Sequence, residues 1–130
     1  MYWMGRRARF VIDGRRHVLV TDLRERIVGV SAAWVQSCGF TPEEAFGNTP
    51  RILQGALTDL AAARAFSAEL KATGTARVTL LNYTKDRRVF LNCVQGRSYG
   101  DVLIAESRIC DSGFGIEAVC LQNTASQKGK

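Results

Sequence analysis

Residues 75–83, "TARVTLLNY", and 88–95, "RVFLNCVQ", are rich in β-branched, aromatic and other apolar residues and flank the polar stretch "TKDR", so they read as two strands of a hairpin. Counting by twos places Val78, Leu80 and Asn82 on one face of the first strand and Thr79, Leu81 and Tyr83 on the other. The second strand sorts likewise into Phe90, Asn92 and Val94 against Leu91 and Cys93. Each strand therefore carries one amide on an otherwise apolar face. An amide buried without partners costs ~1–3 kcal/mol. Either Asn82 and Asn92 satisfy each other across the hairpin, or both point at a bound heteroaromatic ring, whose alternating donors and acceptors an amide can match with its NH2 and C=O together.

Upstream lies the best helix of the chain, "LAAARAFSAELKA" at 60–72. Ala62, Phe66 and Leu70 recur on it at four-residue spacing, Thr58 or Asp59 caps its start and Gly74 ends it. Further back, "HVLVTDL" at 17–23 and "RIVGV" at 26–30 read as a first hairpin. Ser31 caps a short helix that Gly39 stops, and Thr41, Pro42 and Glu44 form a capping box for another that ends at Gly47. Downstream, "GIEAVCLQNT" at 115–124 reads as the last strand, with Ala118, Cys120 and Gln122 on one face. It is separated from the central hairpin by an extended segment at 96–113. This order of elements predicts an α+β domain, a five-stranded antiparallel sheet with short helices on one side, whose concave face is the natural ligand pocket. The domain is expected over 17–124, preceded by a basic arm or cap at 1–16 and followed by a tail at 125–130.

With 130 residues the chain suffices for one domain with one core. No apolar run approaches the ~20 residues needed to cross a bilayer, and "MYWMGRRARF" lacks the apolar core of a secretory signal. The expectation is a cytoplasmic or nuclear protein with no membrane contact. Four cysteines, Cys38, Cys93, Cys110 and Cys120, show no CxxC pair, and His17 is the sole histidine. No metal site is expected, and the cysteines read as small buried hydrophobes. The net charge of +6 comes largely from "GRRAR", "GRRH" and "KDRR", stretches without interleaved aromatics. They read as solvated surface rather than as a nucleic-acid interface.

Between the two halves stands "GNTPRILQGALTD" at 47–59. Its Arg51 lies at the mouth of the expected pocket and has the forked geometry of a phosphate clamp. Gln54, three residues on, shares its side if the chain turns helically.

Taken together these stretches resemble the light-oxygen-voltage (LOV) subclass of PAS domains, which bind a flavin and sense blue light. The resemblance rests on "VTD" at 20–22, "EEAFG" at 43–47, "GNTPRILQGALTD" at 47–59 and "NYTKDRRVFLN" at 82–92, with "DSG" and "AVCLQ" near the end matching the family's last strand. It implies a PAS fold and a flavin cofactor, FMN first, with riboflavin and FAD as alternatives. It also implies that Asn82, Asn92 and Gln122 meet the polar edge of the ring, that Thr21 and Leu53 line it, that Arg51 binds the ribityl phosphate, and that Gln54 and Thr49 contact the ribityl chain. The second phosphate-binding arginine of many members falls on Ser67, with Arg64 one turn earlier. The cysteine that forms the family's photochemical adduct is Pro50 here, which carries no nucleophile.

The expected function is accordingly a flavin-binding sensor that responds to blue light or redox state by flavin photoreduction and signals through Gln122 and the last strand to an effector or a second copy. One alternative keeps adduct chemistry with a relocated thiol, Cys120, which strand parity places on the face of Gln122. Another is a flavin-free PAS interaction module. No spacing suggests a nucleophile, a base and an orienting acid, and amides are poor acid-base groups, so no enzyme is expected.

Overall fold

The computed structural model describes residues 1–5 and 10–110. Its helices begin and end where their capping chemistry dictates. Helix α1, Ala32–Cys38, starts at Ser31, whose Oγ accepts from the N–H of Trp34 at 3.2 Å. The same oxygen accepts from Val18 N at 2.9 Å, so one fully buried hydroxyl joins the helix start to the first long strand. Helix α2, Pro42–Ala45, carries the reciprocal capping box: Thr41 N donates to Glu44 Oε1 at 2.9 Å and Glu44 N to Thr41 Oγ1 at 3.1 Å. Helix α3, Leu60–Thr73, is capped by Asp59, whose Oδ1 accepts from Ala62 N at 3.0 Å. Gly39 and Gly74 close α1 and α3 in the left-handed conformation that glycine adopts without steric cost.

The strands are β1 (Tyr2–Trp3), β2 (His17–Asp22), β3 (Ile27–Val30), β4 (Thr75–Tyr83), β5 (Val89–Tyr99) and β6 (Val102–Ile109). They form one antiparallel sheet in the order β1-β3-β2-β6-β5-β4. The helices gather on one face, giving the expected α+β, PAS-type layer arrangement. The two-residue β1 adds a sixth strand at the edge.

The ends of the sheet differ from expectation in one consequential way. Residues 96–109, read from sequence as part of an extended segment, complete β5 and then form β6 after a tight turn at Gly100 and Asp101. Strand β6 pairs with β2 on one side and β5 on the other, from His17↔Ser107 to Asp22↔Val102 and from Asn92↔Ile109 to Tyr99↔Val102. The place beside β5 expected for a strand at 115–124 is thus taken by Val102–Ile109. The physical pattern is a plain alternation: Val102 and Ile104 pack on the outer face, Leu103 and Ala105 on the helix face.

The helix-side core joins Leu19, Ile27, Val30, Trp34, Cys38, Ala45 and Leu53, with Phe90 and Ala105 packed against them. A second group, Leu70, Ala76, Leu103 and Phe66, seats α3 on the sheet. Gly96 makes this seat possible, since a Cβ there would lie 2.8 Å from the Phe66 ring and 2.9 Å from Leu70. On the outer face Val18, Val20 and Val102 are covered by Met1, Trp3, Phe10 and Ile12. Trp3 and Phe10 meet edge to face at 5.0 Å, and Phe10 meets Tyr99 at 5.8 Å. An ion pair between Arg16 and Glu106 of β6 fastens the end of this N-terminal cover.

Cys93 and Cys110 form a disulfide with their Cα atoms 6.7 Å apart, correcting the reading of both as packing thiols. Cys38 is the buried free thiol that the sequence suggests, and burial pushes its pKa up to about 12.

Candidate functional site

Asn82 and Asn92 are both buried, at 3% and 4% exposure, and both project from the helix side of the β4–β5 hairpin. The register Leu80↔Asn92 and Asn82↔Phe90 sets the amides diagonally, and Asn92 Nδ2 donates to Asn82 Oδ1 at 2.9 Å. Among the described residues Asn82 Nδ2 reaches the carbonyl of its own neighbour, Leu81, at 3.3 Å. Asn92 Oδ1 has no hydrogen-bond partner among the described residues. Turning that amide over would oppose two oxygens and leave its NH2 unpaired instead. The mutual-satisfaction reading therefore accounts for one hydrogen bond and leaves a buried acceptor open.

Leu53, 4% exposed, lies in the core cluster against which Phe90 packs, next to the register position of Asn82. Thr21 is buried on β2 at a bulge, opposite Ile27 and Leu103. Residues 47–59 now have individual explanations. Thr49 caps a 3-10 turn, Pro50–Leu53, with its Oγ1 accepting from Arg51 N at 3.4 Å, so the Thr49 hydroxyl is occupied locally. Pro50 is the first residue of that turn, where no backbone N–H is required. Gln54 closes the turn, its N–H donating to Arg51 O at 2.9 Å.

The rest of the motif latches this turn onto β4 beside the amides. Thr58 Oγ1 donates to Leu81 O at 2.7 Å and accepts from Gly55 N at 3.0 Å, while Leu57 N donates to the Tyr83 hydroxyl at 3.0 Å. Gly55 lies so close to Tyr83 that a Cβ would fall 2.4 Å from the ring. The guanidinium of Arg87 covers the Tyr83 ring, 4.4 Å from its centroid.

Arg51 is exposed, and its surroundings include a residue that sequence reasoning did not single out. Glu25, in the turn between β2 and β3, accepts from the Ser67 hydroxyl and, at 3.1 Å, from Lys71 Nζ. Burial works against its ionisation, but these hydrogen bonds and the charges of Lys71 and Arg51 outweigh it and hold the carboxyl below its ordinary value. Lys71 lies one turn beyond Ser67 on α3, and Arg64 one turn before it.

Gln122 and Cys120 lie outside the described residues. The helix-side position next to Val94 on the strand paired with β5 is held by Ser107. An open surface pocket of about 510 Å³ near the start of β2, lined by Asp13, Arg15, His17, Gln36 and Ser37 among others, contains none of the expected flavin residues. His17 Nε2 there shares a hydrogen bond with Ser37 Oγ at 2.7 Å. Among the described residues no group of His, Cys, Asp and Glu is arranged to hold a metal, and no helix is long and apolar enough to cross a membrane.

No protein-family profile matches the chain, and no curated protein matches it. Solved structures do. The chain is similar to the d2 variant of RsLOV at 20% identity and a TM-score of 0.69, covering 75% of this chain and 61% of that one. A further RsLOV variant gives 19% identity and 0.69, with coverage of 75% and 62%. The LOV domain of the Erythrobacter litoralis EL346 blue-light activated histidine kinase gives 18% identity and 0.68, covering 75% of this chain and 97% of that domain. The chain spans less than two thirds of the length of the RsLOV structures. By its layers and strand order this is a PAS-type fold. Within that class it is the fold of the LOV domains.

Proposed function

We propose that this domain binds a flavin between its sheet and its helices and serves as a light or redox sensor that works without a thiol at position 50. The observation that carries the proposal is the open acceptor on Asn92. Leaving a buried amide oxygen unpaired costs ~1–3 kcal/mol, and a ring imide N–H in the pocket removes that cost. Asn82 Nδ2, held now by a long bond to an adjacent carbonyl, is the matching donor for a ring carbonyl. Two amides that present an acceptor and a donor side by side fit the polar edge of an isoalloxazine, and Leu53, Phe90 and Thr21 supply apolar and small-polar walls on the same side of the sheet.

A bound flavin supplies absorption of blue light and the capacity to accept an electron. The chain's own residues do the rest. Asn82 and Asn92 fix the ring edge on β4 and β5, Pro50 shapes the loop and offers no nucleophile, and burial keeps the Cys38 thiol protonated. Strand β6, hydrogen-bonded to β5 on one side and β2 on the other, carries Ser107 toward the helix side and Ile104 toward the N-terminal cover. A shift in β6 would thus reach the outer face, where an effector or a second copy can respond.

The test is reconstitution of purified protein with riboflavin, FMN and FAD, followed by absorption spectra in the dark and under blue light. A stoichiometric flavin spectrum that bleaches and recovers supports the proposal, with Cys120→Ala behaving like the wild type. A light response lost in Cys120→Ala would instead favour the relocated thiol, and no bound flavin would favour an interaction module.

A further inference from the structure

Glu25 has φ of +66°, a backbone region that a side chain with a Cβ enters at a steric cost. From that turn its carboxylate reaches across to α3. Oε1 accepts from the Ser67 hydroxyl and Oε2 from Lys71 Nζ at 3.1 Å. The third neighbour is Arg51, on the 3-10 turn beside the proposed pocket, near enough for its charge to favour the ionised carboxylate. A hydroxyl and an ammonium from α3 converge on this carboxylate, with the charge of the Arg51 guanidinium acting on it from the 3-10 turn, and such a donor set suits an anion subsite. The anion in it belongs to the chain itself. An exposed ion pair returns little stability, and the Lys71–Glu25 pair is about 40% exposed on each side, so stability alone is a weak reason to hold Glu25 in a strained turn.

We infer that Glu25 is a built-in occupant of this anion subsite and a specificity-determining residue: it selects a flavin whose ribityl chain ends without a phosphate over FMN. The inference rests on the flavin reading of the pocket. A phosphate monoester carries a charge of about −1.5 to −2 at neutral pH, so a resident carboxylate both blocks its place and repels it. Lys71 and Ser67, already bonded to Glu25, offer a phosphate nothing until Glu25 moves, and the resident carboxylate already answers the charge of Arg51. A neutral ribityl hydroxyl asks for no such displacement.

Dissociation constants for riboflavin and FMN, read by quenching of flavin fluorescence, test this in the wild type and in two variants. Glu25→Gln keeps an acceptor for Ser67, and Glu25→Gly suits the left-handed backbone, so at least one folded variant is secured. The wild type should bind FMN no more tightly than riboflavin. In both variants FMN should tighten about tenfold while riboflavin stays within about twofold. A wild type that strongly prefers FMN, with a ratio that neither variant changes, overturns the role of Glu25 and leaves the flavin pocket standing. Failure of either flavin to bind any of the three proteins overturns the pocket reading on which the inference rests.

Discussion

Asn92 donates to Asn82 at 2.9 Å and keeps its own carbonyl oxygen buried and without a partner among the described residues. Natural interiors rarely leave such an atom without a specific reason, and the proposed flavin supplies one here. Replacing both residues, Asn82→Leu with Asn92→Leu, should therefore raise the stability of the flavin-free protein by about 1–2 kcal/mol while abolishing flavin binding. Urea unfolding and flavin titration of the same preparation check the two halves. A double variant that is less stable and still binds would contradict the assignment.

Gly55 and Tyr83 form the contact that presses the loop onto β4. Gly55→Ala forces a methyl group against the ring and should cost about 1–3 kcal/mol. Tyr83→Phe, which removes only the acceptor for Leu57 N, should cost about 1 kcal/mol. Because the loop carries Leu53 and Arg51, Gly55→Ala should also weaken flavin binding. The check is a comparison of thermal midpoints and dissociation constants for the two variants.

Residues 1–12 shield the outer face through Met1, Trp3, Phe10 and Ile12. Their deletion should destabilise the domain by roughly 3 kcal/mol or more and expose Val18, Val20, Val102 and Ile104 as an apolar patch. Light scattering after size-exclusion chromatography should then show more concentration-dependent self-association than the full chain.

Several carboxylates are held low. Arg16 beside Glu106 lowers that group, and for Asp22 and Glu25 hydrogen bonds and neighbouring cations outweigh burial. A carboxyl depressed in the folded state stabilises the fold above its unfolded pKa and loses that contribution as pH falls through the folded one. With ordinary values of 4.5 for glutamate and 3.8 for aspartate, stability should hold from neutral pH to about 5 and decline below it. Unfolding free energies across that range test the sign, and Glu106→Gln should flatten part of the slope.

Local chemistry made the helices legible. Ser31, the Thr41–Glu44 box, Asp59, Gly39 and Gly74 each do what their residue types suggest, and strand parity alone puts Asn82 and Asn92 each on the apolar face of its strand. Strand β6 was obscured because Val102, Leu103, Ile104 and Ala105 are apolar on both faces, so the alternation of their packing leaves no period of two in composition. Glu106 and Arg108 look like loop residues until Arg16 is seen to pair with the former. The pairing of Cys93 with Cys110 depends on β5 and β6 being neighbours, so it could not be read before β6 was recognised. The same holds for Glu25, whose partners lie 42 and 46 residues away on α3. Sequence spacing carries no signal for such a meeting. A charged residue in a hairpin turn at an unusual backbone angle becomes informative only once its neighbours are known.

The central claim is that the open amide edge at Asn82 and Asn92 receives a flavin. The most direct measurement is the absorption spectrum of the purified chain after incubation with excess riboflavin and removal of the unbound ligand, taken dark, under blue light and after recovery. A structured flavin band near one equivalent, bleaching and returning, is the expected result. A colourless protein, or a bound flavin that persists unchanged in the Asn82→Leu and Asn92→Leu double variant, would contradict the account.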